Sequence, residues 1–309
     1  MNRITVIGSI NVDLVVNLDR MPKSGETVLG NSFFRVGGGK GANQAITASR
    51  LGSVVKFVGK IGNDEFGTFI LDEMIKDNID ITSVTISSEN QTGIAFIYVD
   101  KNAENSIVVV PGSNFELSIA DIDNSIDKIE NTDVLVMQNE IPNEVIEYSL
   151  LKGKEKGKIT VLNCAPAKII SKNYIKYIDY LIVNESELDF IYKSIKSEET
   201  KELLSEIDKA KLLLENDFRN IIITLGKNGS IFINKNYNVY VPARKVNAID
   251  TTAAGDAFVG SFFSYYNFVE NETNIRESLE YATRVSAYVV QKKGAQSSLP
   301  YKKDVEELN

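Results

Sequence analysis

The stretch from residue 250 to residue 258 reads Asp250-Thr251-Thr252-Ala253-Ala254-Gly255-Asp256-Ala257-Phe258. We interpret it as the first turn of a helix that begins with small residues and carries one carboxylate. Small side chains let an anion approach the free backbone N–H groups, and the helix dipole adds partial positive charge there. Asp256 would supply a base at the same place. The alternative is an ordinary helix start with a first-turn Asp.

The composition argues against several classes of function. The chain has 309 residues, of which 43% are hydrophobic, and a net charge of -8 from 34 basic and 42 acidic residues. This length is enough for one large α/β core or two modest domains. The acidic balance makes a nucleic-acid partner unfavourable. Because we find neither a run of 18 apolar residues nor a signal-peptide pattern, we expect a cytoplasmic protein that does not enter the membrane.

Few residue types remain for catalysis. The sequence contains no histidine, which excludes Ser-His-Asp and Cys-His catalysis and histidine-ligated metals. Its single cysteine, Cys164, excludes internal disulfides and multi-cysteine zinc sites. Acid–base chemistry is therefore left to carboxylates, Lys, Tyr or Cys. Within these limits the helix start at 250–258 suits phosphoryl transfer to an alcohol.

Short β-rich runs alternate with helical patterns along nearly the whole chain. This alternation predicts an α/β fold with a mostly parallel sheet that is covered by helices. The predicted strands are 4–8, 54–58, 134–137, 159–162, 180–183 and 221–225, and the predicted helices are 42–51, 64–78, 143–152, 185–194, 199–216, 254–266 and 276–291.

Two stretches, 13–36 and 92–110, interrupt this alternation. They hold strand-like segments at 13–18, 27–29, 93–99 and 106–110 and show no helical period. We interpret them as insertions that form one small β-sheet lid over the C-terminal edge of the main sheet. The predicted division is a core of residues 1–12, 38–91 and 111–309 and a lid of residues 13–37 and 92–110.

A run of glycines precedes the first predicted helix, Val36-Gly37-Gly38-Gly39-Lys40-Gly41-Ala42-Asn43-Gln44. Consecutive glycines expose backbone N–H groups, and Lys40 and Asn43 offer donors, so this run can approach a polar ligand closely. It is not a Walker A loop, because Gly41 follows Lys40 where Ser or Thr is needed. A loose dinucleotide-binding fingerprint, Gly37-x-Gly39-x-x-Ala42, and a simple tight turn are the alternatives.

Polar residues follow two predicted strands at what should be one edge of the sheet. Asn11 and Asp13 are two residues apart, so both can point to the same side of an extended segment and bind a polyol. The alternative for this pair is an Asx turn that leaves the strand. Glu140 follows the strand at 134–137 and is expected at the same edge.

Two further strand ends carry candidate ligand-binding residues. Asn184 and Glu187 fall on one face of a first helical turn, where they could organise water around Mg²⁺ and phosphate. A capping box is the alternative for this pair. The loop after Thr224 contains Gly226 and Gly229 and could hold the phosphates of a nucleotide, or it could form a hairpin turn into 230–234.

With these motifs in this order, the chain resembles the PfkB carbohydrate kinase family along essentially its full length. The resemblance implies a three-layer α/β/α sandwich with a mostly parallel central sheet and a small β-sheet lid. It also implies an ATP-dependent sugar kinase, and conversion of D-ribose and ATP to D-ribose 5-phosphate and ADP is the leading hypothesis. The motifs that carry it are Gly8-Ser9-Ile10-Asn11-Val12-Asp13, Gly38-Gly39-Lys40-Gly41-Ala42-Asn43-Gln44, Asn184-x-x-Glu187, Thr224-Leu225-Gly226 and Asp250-Thr251-x-Ala253-Ala254-Gly255-Asp256.

The resemblance further implies roles for individual residues. Asp256 would take the proton from the primary hydroxyl of the sugar. Ala253, Ala254 and Gly255 would form the anion hole for the transferred phosphoryl group. Sugar binding is implied for Asn11, Asp13, Gly38, Gly39, Lys40, Asn43, Glu140 and Asp256, and nucleotide binding for Asn184, Thr224, Gly226, Lys227, Gly229 and Thr283.

Metal ions and a second subunit also follow from the resemblance. Glu187 would act through the waters of Mg²⁺. A monovalent cation, normally potassium, would lie beside the anion hole. Because lids of this family pair with each other, a homodimer through the lid is implied. The implied cation-site residues are Asp250, Thr252, Val289, Lys292, Gly294 and Ser298.

Related activities remain open at this point. A 2-deoxyribose kinase would share nearly every motif, whereas a nucleoside or pseudouridine kinase should need an apolar or aromatic slot for the base. Asn11 favours ribose, because an amide can both donate and accept at the 2-hydroxyl. A non-catalytic sugar or nucleotide sensor is disfavoured by the intact Asp256 and the Ala-Ala-Gly run before it.

Overall fold

The computed structural model describes residues 1–102, 105–195 and 204–307. Within these ranges, β-strands form a nine-stranded sheet and a four-stranded sheet. The strands are β1 (Arg3–Ile7), β2 (Asn11–Leu18), β3 (Gly30–Gly38), β4 (Val54–Gly62), β5 (Asp80–Ser87), β6 (Gly93–Val99), β7 (Asn105–Val110), β8 (Val134–Gln138), β9 (Ile159–Asn163), β10 (Tyr180–Asn184), β11 (Asn220–Thr224), β12 (Ser230–Ile233) and β13 (Asn238–Val241).

Helices connect most of these strands. The α-helices are α1 (Lys40–Arg50), α2 (Glu65–Lys76), α3 (Ile119–Asp123), α4 (Ile126–Glu130), α5 (Asn143–Glu155), α6 (Lys172–Ile175), α7 (Glu185–Ile195), α8 (Glu206–Leu214), α9 (Ala254–Tyr265), α10 (Glu272–Val289) and α11 (Lys302–Glu306). Short 3-10 helices span Gly112–Glu116, Gly226–Asn228 and Gln296–Ser298.

The large sheet has the strand order β13-β12-β11-β10-β9-β8-β1-β4-β5. Neighbouring strands pair in parallel along the spatial order β5-β4-β1-β8-β9-β10-β11. Strands β12 and β13 add an antiparallel hairpin at the β11 edge. Its central strands are almost continuously apolar, as in Val-Leu-Val-Met-Gln of β8, because both faces of a parallel sheet are covered.

Successive side chains of one strand enter two separate cores. Ile182 of β10 packs in a core with α1, α2, α9, α10 and α11, whereas Leu181 and Val183 pack in a core with α3 to α8. This is the alternation expected of a strand that is buried on both faces. The predicted three-layer α/β/α sandwich with a mostly parallel sheet is therefore confirmed.

The small sheet has the order β3-β2-β6-β7, in which β2 and β6 are parallel and the outer pairs are antiparallel. The predicted strand at 27–29 is wrong, because the chain becomes a strand only at Gly30 and stays extended to Gly38. Gly37 and Gly38 pair with Val12 and Asn11, so these two glycines continue a strand and the tight-turn alternative is wrong for them. The division of the chain into a core and a lid stays a prediction.

Other differences from the predicted elements are local. The edge strands β5 and β13 were not predicted, and β5 is half-buried without clear alternation. Of the predicted helix at 199–216, α8 accounts for Glu206–Leu214, and residues 199–203 lie outside the described part of the chain.

Two glycines set the position of α1. A Cβ atom built at Gly41 would lie 2.7 Å from the backbone nitrogen of Ser9, and one built at Gly260 of α9 would lie 2.6 Å from the carbonyl oxygen of Gln44. The Ala42 N–H donates to the Ser9 carbonyl oxygen at 3.0 Å. The start of α1 is therefore held in backbone contact with the end of β1 on one side and with α9 on the other.

We predict that Gly260→Ala lowers the free energy of unfolding by about 1–3 kcal/mol, because the added methyl group must push α9 away from α1. Urea unfolding measures this change. Ser261→Ala is the matched control on the next residue, since the Ser261 hydroxyl bonds only within its own helix, to the Ala257 and Phe258 carbonyls. Equal stabilities of the two variants would contradict the close helix contact.

Candidate active site

The predicted site residues gather at the C-terminal edge of the parallel strands. Asn184 and Thr224 are the last residues of β10 and β11, and Glu140 follows β8 by two residues. The N-termini of α1 and α9 bring Asn43 and Asp256 into hydrogen-bond contact. In open α/β sheets this edge is the usual place for a ligand.

Asp256 is a buried carboxylate with an amide donor on each oxygen. Its exposed fraction is 7%, Oδ2 accepts from Asn43 Nδ2 at 2.9 Å, and Oδ1 accepts from Gln44 Nε2 at 3.1 Å. Burial raises the pKa of Asp256, and the charge of Lys40 and the two amides oppose that rise. The carboxylate is thus a stronger base than an exposed Asp while it keeps partners for its charged form.

The turn before α9 has the shape of an anion site. Ala253 is the N-cap residue and adopts left-handed dihedrals, φ 60° and ψ 5°, which are unfavourable for a residue with a Cβ atom. The backbone N–H groups that follow belong to the first turn, where no earlier helical carbonyl is available. A Cβ atom built at Gly255 would meet nothing within 4 Å, so the space in front of this turn is open.

Asn11 and Asp13 lie on the same face of β2 and are almost fully buried. The Asx-turn alternative is wrong, because Asn11 begins a strand. Asn114 Nδ2 donates to Asn11 Oδ1 at 2.8 Å and orients that amide. A Cβ atom built at Gly38 would lie 2.2 Å from Asp13 Oδ1, so only glycine fits against this carboxylate.

Glu140 joins the glycine run to the end of β1. Its Oε2 accepts from Ser9 Oγ at 2.6 Å and from the Lys40 backbone N–H at 3.0 Å. Gly39 has φ 87° and caps α1. The dinucleotide-fingerprint alternative is wrong for this run, because the strand before it, β3, belongs to the small sheet.

Lys40 is the cation around which four carboxylates lie. Asp256 is the main cause that raises the pKa of Lys40, burial opposes it, and Glu140, Glu187 and Asp13 raise the pKa further. Burial, together with Glu140 and Asp256, raises the pKa of Asp13 to about 7, although Lys40 opposes this. The four carboxyl groups therefore outnumber the one cation among them.

Asn184 and Glu187 form the capping box that was the alternative interpretation. The Asn184 N–H donates to Glu187 Oε2 at 2.8 Å, and the Glu187 N–H donates to Asn184 Oδ1 at 2.8 Å. The same pair still reaches the site, because Glu187 and Lys40 act on each other's pKa. Burial is the main cause that raises the pKa of Glu187.

The loop 226–229 is a hairpin turn between the antiparallel strands β11 and β12, as the simpler alternative had it. Gly226 is open, since a Cβ atom there would meet nothing within 4 Å, and Lys227 is exposed beside it. Gly229 has φ 105° and packs on the Val241 carbonyl. Thr283 lies buried behind the start of β12, with its hydroxyl 3.4 Å from that of Ser230.

Asp250 ties together the two segments of the implied cation site. Its Oδ1 accepts from the backbone and hydroxyl of Thr252 at 2.9 and 2.7 Å, and its Oδ2 accepts from the Gly294 N–H at 2.8 Å. Burial opposes ionisation, but these hydrogen bonds outweigh it and the pKa of Asp250 is lowered. Val289 and Ser298 are buried, and the Lys292 ammonium lies over the Tyr288 ring.

Three polar residues of the site were not singled out from the sequence. Asn114 orients Asn11, Gln138 ends β8, and Asn163 ends β9. Gln138 and Asn163 carried a usable signal, because each is a polar residue at the end of an apolar strand at the ligand edge. Asn114 carried none, since it lies in a 3-10 helix 103 residues from its partner.

A cavity of about 670 Å³ lies between the small sheet and the turn before α9. Asp13, Asp250, Thr251 and Thr252 line it, so it opens onto the anion site. A second cavity of about 640 Å³ lies at the opposite edge of the large sheet, around Asp179 and Arg219, and contains none of the predicted site residues.

The family comparison agrees with this geometry. Residues 1–302 match the model of the pfkB family of carbohydrate kinases. The chain belongs to this family. The PfkB assignment makes the protein a phosphotransferase that acts on a sugar hydroxyl, as the resemblance implied.

Individual PfkB relatives are similar over their whole length. Ribokinase of Staphylococcus aureus is 36% identical over 308 residues, which cover 99% of both chains. Deoxyribokinase of Salmonella typhi is 34% identical over 99% of this chain and 97% of its own.

Solved structures confirm the ribokinase-like fold. Ribokinase from Thermotoga maritima superposes with a TM-score of 0.89 at 36% identity and covers 100% of this chain and 99% of its own. Arabidopsis thaliana ribokinase complexed with ribose and ATP superposes with a TM-score of 0.88 at 26% identity, over 99% of this chain and 98% of its own. In the described residues, no helix is both long and apolar enough to cross a membrane.

We predict that Asp13→Asn stabilises this PfkB protein against unfolding and that the gain grows from pH 4 to pH 8. The pKa of the Asp13 carboxyl is about 7 in the folded chain and 3.8 as a free side chain, so the wild type loses stability as pH rises between these values. At pH 8 the variant should be more stable by about 1–4 kcal/mol. Thermal unfolding at pH 4, 6 and 8 measures it, and a pH-independent difference would contradict the buried charge.

Proposed function

We propose that this protein transfers the γ-phosphoryl group of ATP to the 5-hydroxyl of D-ribose and releases D-ribose 5-phosphate and ADP. The observation that carries the proposal is the buried Asp256 carboxylate at the open first turn of α9, next to an unsatisfied polar atom. Asn43 Oδ1 is buried and accepts no hydrogen bond from the part of the chain that the structure describes, although the Nδ2 of the same amide donates to Asp256. A sugar hydroxyl next to Asp256 would supply that missing donor.

Asp256 acts as the base in this proposal. It accepts the proton of the 5-hydroxyl as the oxygen attacks the γ-phosphorus, and the bond between that phosphorus and the bridging oxygen of ADP breaks. Burial supports the role because it raises the basicity of the carboxylate. The proton remains on Asp256 until the products leave.

The first turn of α9 stabilises the transferred group. Ala253, Ala254 and Gly255 present small side chains, so the phosphoryl oxygens can reach the backbone N–H groups. The Ser286 hydroxyl donates to the Ala254 carbonyl at 3.0 Å and holds this turn against α10. The anion hole is thus preorganised by backbone that packs on a second helix.

Sugar recognition uses buried groups of opposite hydrogen-bonding character. Asp13 accepts from two hydroxyls, the amide of Asn11 both donates and accepts, and Lys40 donates. Gly38 and Gly39 let the backbone approach Asp13 and Asn11 closely, because a Cβ atom at either glycine would collide with these residues. Glu140 holds this arrangement through Ser9 and the Lys40 backbone.

Nucleotide and metal binding follow the family pattern. ATP is assigned to Asn184, Thr224, Gly226, Lys227, Gly229 and Thr283. Glu187 would act through the waters of Mg²⁺, because its carboxylate is only half-buried and interacts with Lys40 at the ligand edge. Mg²⁺ would neutralise charge on the transferred phosphates when bound.

A potassium site beside the anion hole fits the residues that surround Asp250. The lowered pKa of Asp250 favours its ionised form, and its hydrogen bonds to Thr252 and Gly294 join the two segments that carry the assigned residues. Val289, Lys292, Gly294 and Ser298 complete the assigned set. A cation there would act on the turn before α9 without touching the sugar.

A homodimer through the small sheet is part of the proposal, as is the use of residues 13–37 and 92–110 as a lid. Phe33, Phe34, Phe96 and the run Ile107–Val109 are each at least about one-third exposed. Such a concentration of apolar groups on one small sheet suits burial by a second copy. Light scattering should give twice the chain mass, and the monomer mass alone would contradict the dimer.

The proposal also includes a cytoplasmic location, because that compartment supplies ATP.

A second candidate is phosphorylation of a pentose with a substituent or a missing hydroxyl. A cavity of about 230 Å³ beside Asn11 and Glu140 is walled by Val109, Pro111 and Phe115. It could accept a planar base, as a nucleoside or pseudouridine kinase would need. The deoxyribokinase relative keeps 2-deoxyribose open as well. Steady-state ADP release with ribose, 2-deoxyribose, adenosine and pseudouridine separates these substrates, and ribose should give the highest kcat/KM.

We predict that Asp256→Asn lowers kcat for ribose by about 10²–10⁴-fold and leaves sugar affinity within a few-fold, because the amide cannot accept the proton. ADP-release kinetics and calorimetric titration with ribose measure the two effects. Asp72→Asn, the same change at an exposed position of α2, is the control and should keep full turnover. Retained turnover in Asp256→Asn would remove the residue from the mechanism.

A further inference from the structure

A chain of buried amides lies behind Asp256. Gln44 Nε2 donates to Asp256 Oδ1 at 3.1 Å and to Asn163 Oδ1 at 3.0 Å, and Gln44 Oε1 accepts from Gln138 Nε2 at 2.7 Å. Asn163 Nδ2 in turn donates to the Ile182 carbonyl at 3.2 Å. Gln44 and Gln138 are at most 1% exposed, so these contacts lie in the core and do not reach solvent.

The Ile182 carbonyl fixes the donor-to-acceptor order of these amide hydrogen bonds. Because that oxygen can only accept, Asn163 must present its Nδ2 to it and its Oδ1 to Gln44. Gln44 then has to offer its Nε2 to Asn163, and the second proton of the same nitrogen reaches Asp256. A flipped Gln44 would instead place its oxygen against the Asp256 carboxylate and against Asn163 Oδ1, which are both acceptors.

The space that the Gln138 side chain occupies depends on a glycine at position 8. A Cβ atom built at Gly8 would lie 2.1 Å from Gln138 Oε1, so the glycine that follows β1 allows this amide to approach Gln44. Gln138 Oε1 itself is buried and accepts no hydrogen bond from the described residues. The Gln138 side chain therefore leaves one buried polar atom unsatisfied while its Nε2 holds Gln44.

We propose that Gln44, fixed by Gln138 and Asn163, is a positioning residue that aims an N–H donor at Asp256 and so sets the carboxylate for proton transfer. The inference rests on the proposed function, in which Asp256 is the base. Amide side chains do not titrate, so the chain donates to the carboxylate without competing for the proton of the sugar. It acts through Asp256 and touches no substrate atom.

Four other charged groups act on Asp256 or on its neighbour Lys40, and each comes from a different element. Lys40 lies at the start of α1, Asp13 on β2, Glu140 after β8 and Glu187 on α7. Three of the four are negative and favour the protonated carboxyl. The hydrogen bond from Gln44 opposes them together with Lys40 and Asn43, so its removal should shift proton uptake to higher pH.

The test is the pH dependence of kcat for ribose at saturating ribose and Mg-ATP in wild type and in Gln44→Met, which keeps the chain length but has no donor. We expect the acidic limb of the profile to move up by about one pH unit, the size expected for a lost hydrogen bond to a charged group. At pH values on the acidic limb kcat should fall by about 10-fold, and KM for ribose should stay within about 3-fold.

Two further variants separate positioning from packing. Gln138→Met removes the amide that holds Gln44 without touching Asp256, and it should move the limb in the same direction by a smaller amount. It also keeps the inference testable if Gln44→Met folds poorly. Thr47→Val is the matched control, because Thr47 is buried one turn later on α1 and bonds only to the Asn43 carbonyl. The acidic limb of the kcat profile of Thr47→Val should not move.

An acidic limb that stays in place in both Met variants would overturn the inference, as would a large rise in KM with kcat unchanged. Because Asp13 is present in every variant, its own titration cannot cause a difference between them. The proposed function fails separately, by retained turnover in Asp256→Asn. If Asp256→Asn loses turnover but the acidic limb stays in place in both Met variants, the proposed function stands and only the positioning role of Gln44 is contradicted.

Discussion

The close contact of α1 with α9 is the constraint on which the site depends. Asp256 belongs to α9, whereas Asn43 and Gln44, the donors to its two oxygens, belong to α1. These hydrogen bonds require that the two helices approach until only Gly260 fits between them. Because α1 also lies on the end of β1 through Gly41, the proposed sugar-binding residues of β2 are positioned from the same helix. A change in this contact therefore moves Asp256, its two amide donors and the proposed sugar site together.

The site uses charges that would be unfavourable in an ordinary core. Asp13 and Asp256 are almost fully buried, and Glu140 and Glu187 lie close to them around Lys40. Removing such carboxylates from water disfavours their charged form, which is why the pKa of Asp13 rises to about 7. In the proposed function these carboxylates bind hydroxyl groups of the sugar and accept its proton. Stability and the proposed function are thus opposed at Asp13.

The sequence predicted what depends on local pattern. Three features could be predicted from the sequence, because each follows from backbone periodicity or from steric need. They are the helix start at 250–258, the glycine run before α1 and the polar residues at strand ends. Prediction from the sequence failed where two hydrogen-bonded side chains are far apart in sequence, and where the backbone conformation depends on pairing with another strand. Asn114 orients Asn11 from 103 residues away, and Gln138 reaches Gln44 from 94 residues away. The strand was predicted at 27–29 and lies at Gly30–Gly38, because its extended conformation depends on pairing with β2 and its glycines have little strand propensity of their own.

The most direct test of the account is a crystal structure with ribose and a non-hydrolysable ATP analogue, in which the distance from Asp256 to the nearest sugar oxygen is measured. We expect the 5-hydroxyl oxygen within about 2.6–3.2 Å of one Asp256 carboxylate oxygen, the range for direct proton transfer. The γ-phosphate analogue should lie on the backbone N–H groups after Ala253. A sugar that presents another hydroxyl, or a 5-hydroxyl more than about 5 Å from Asp256, would contradict the account.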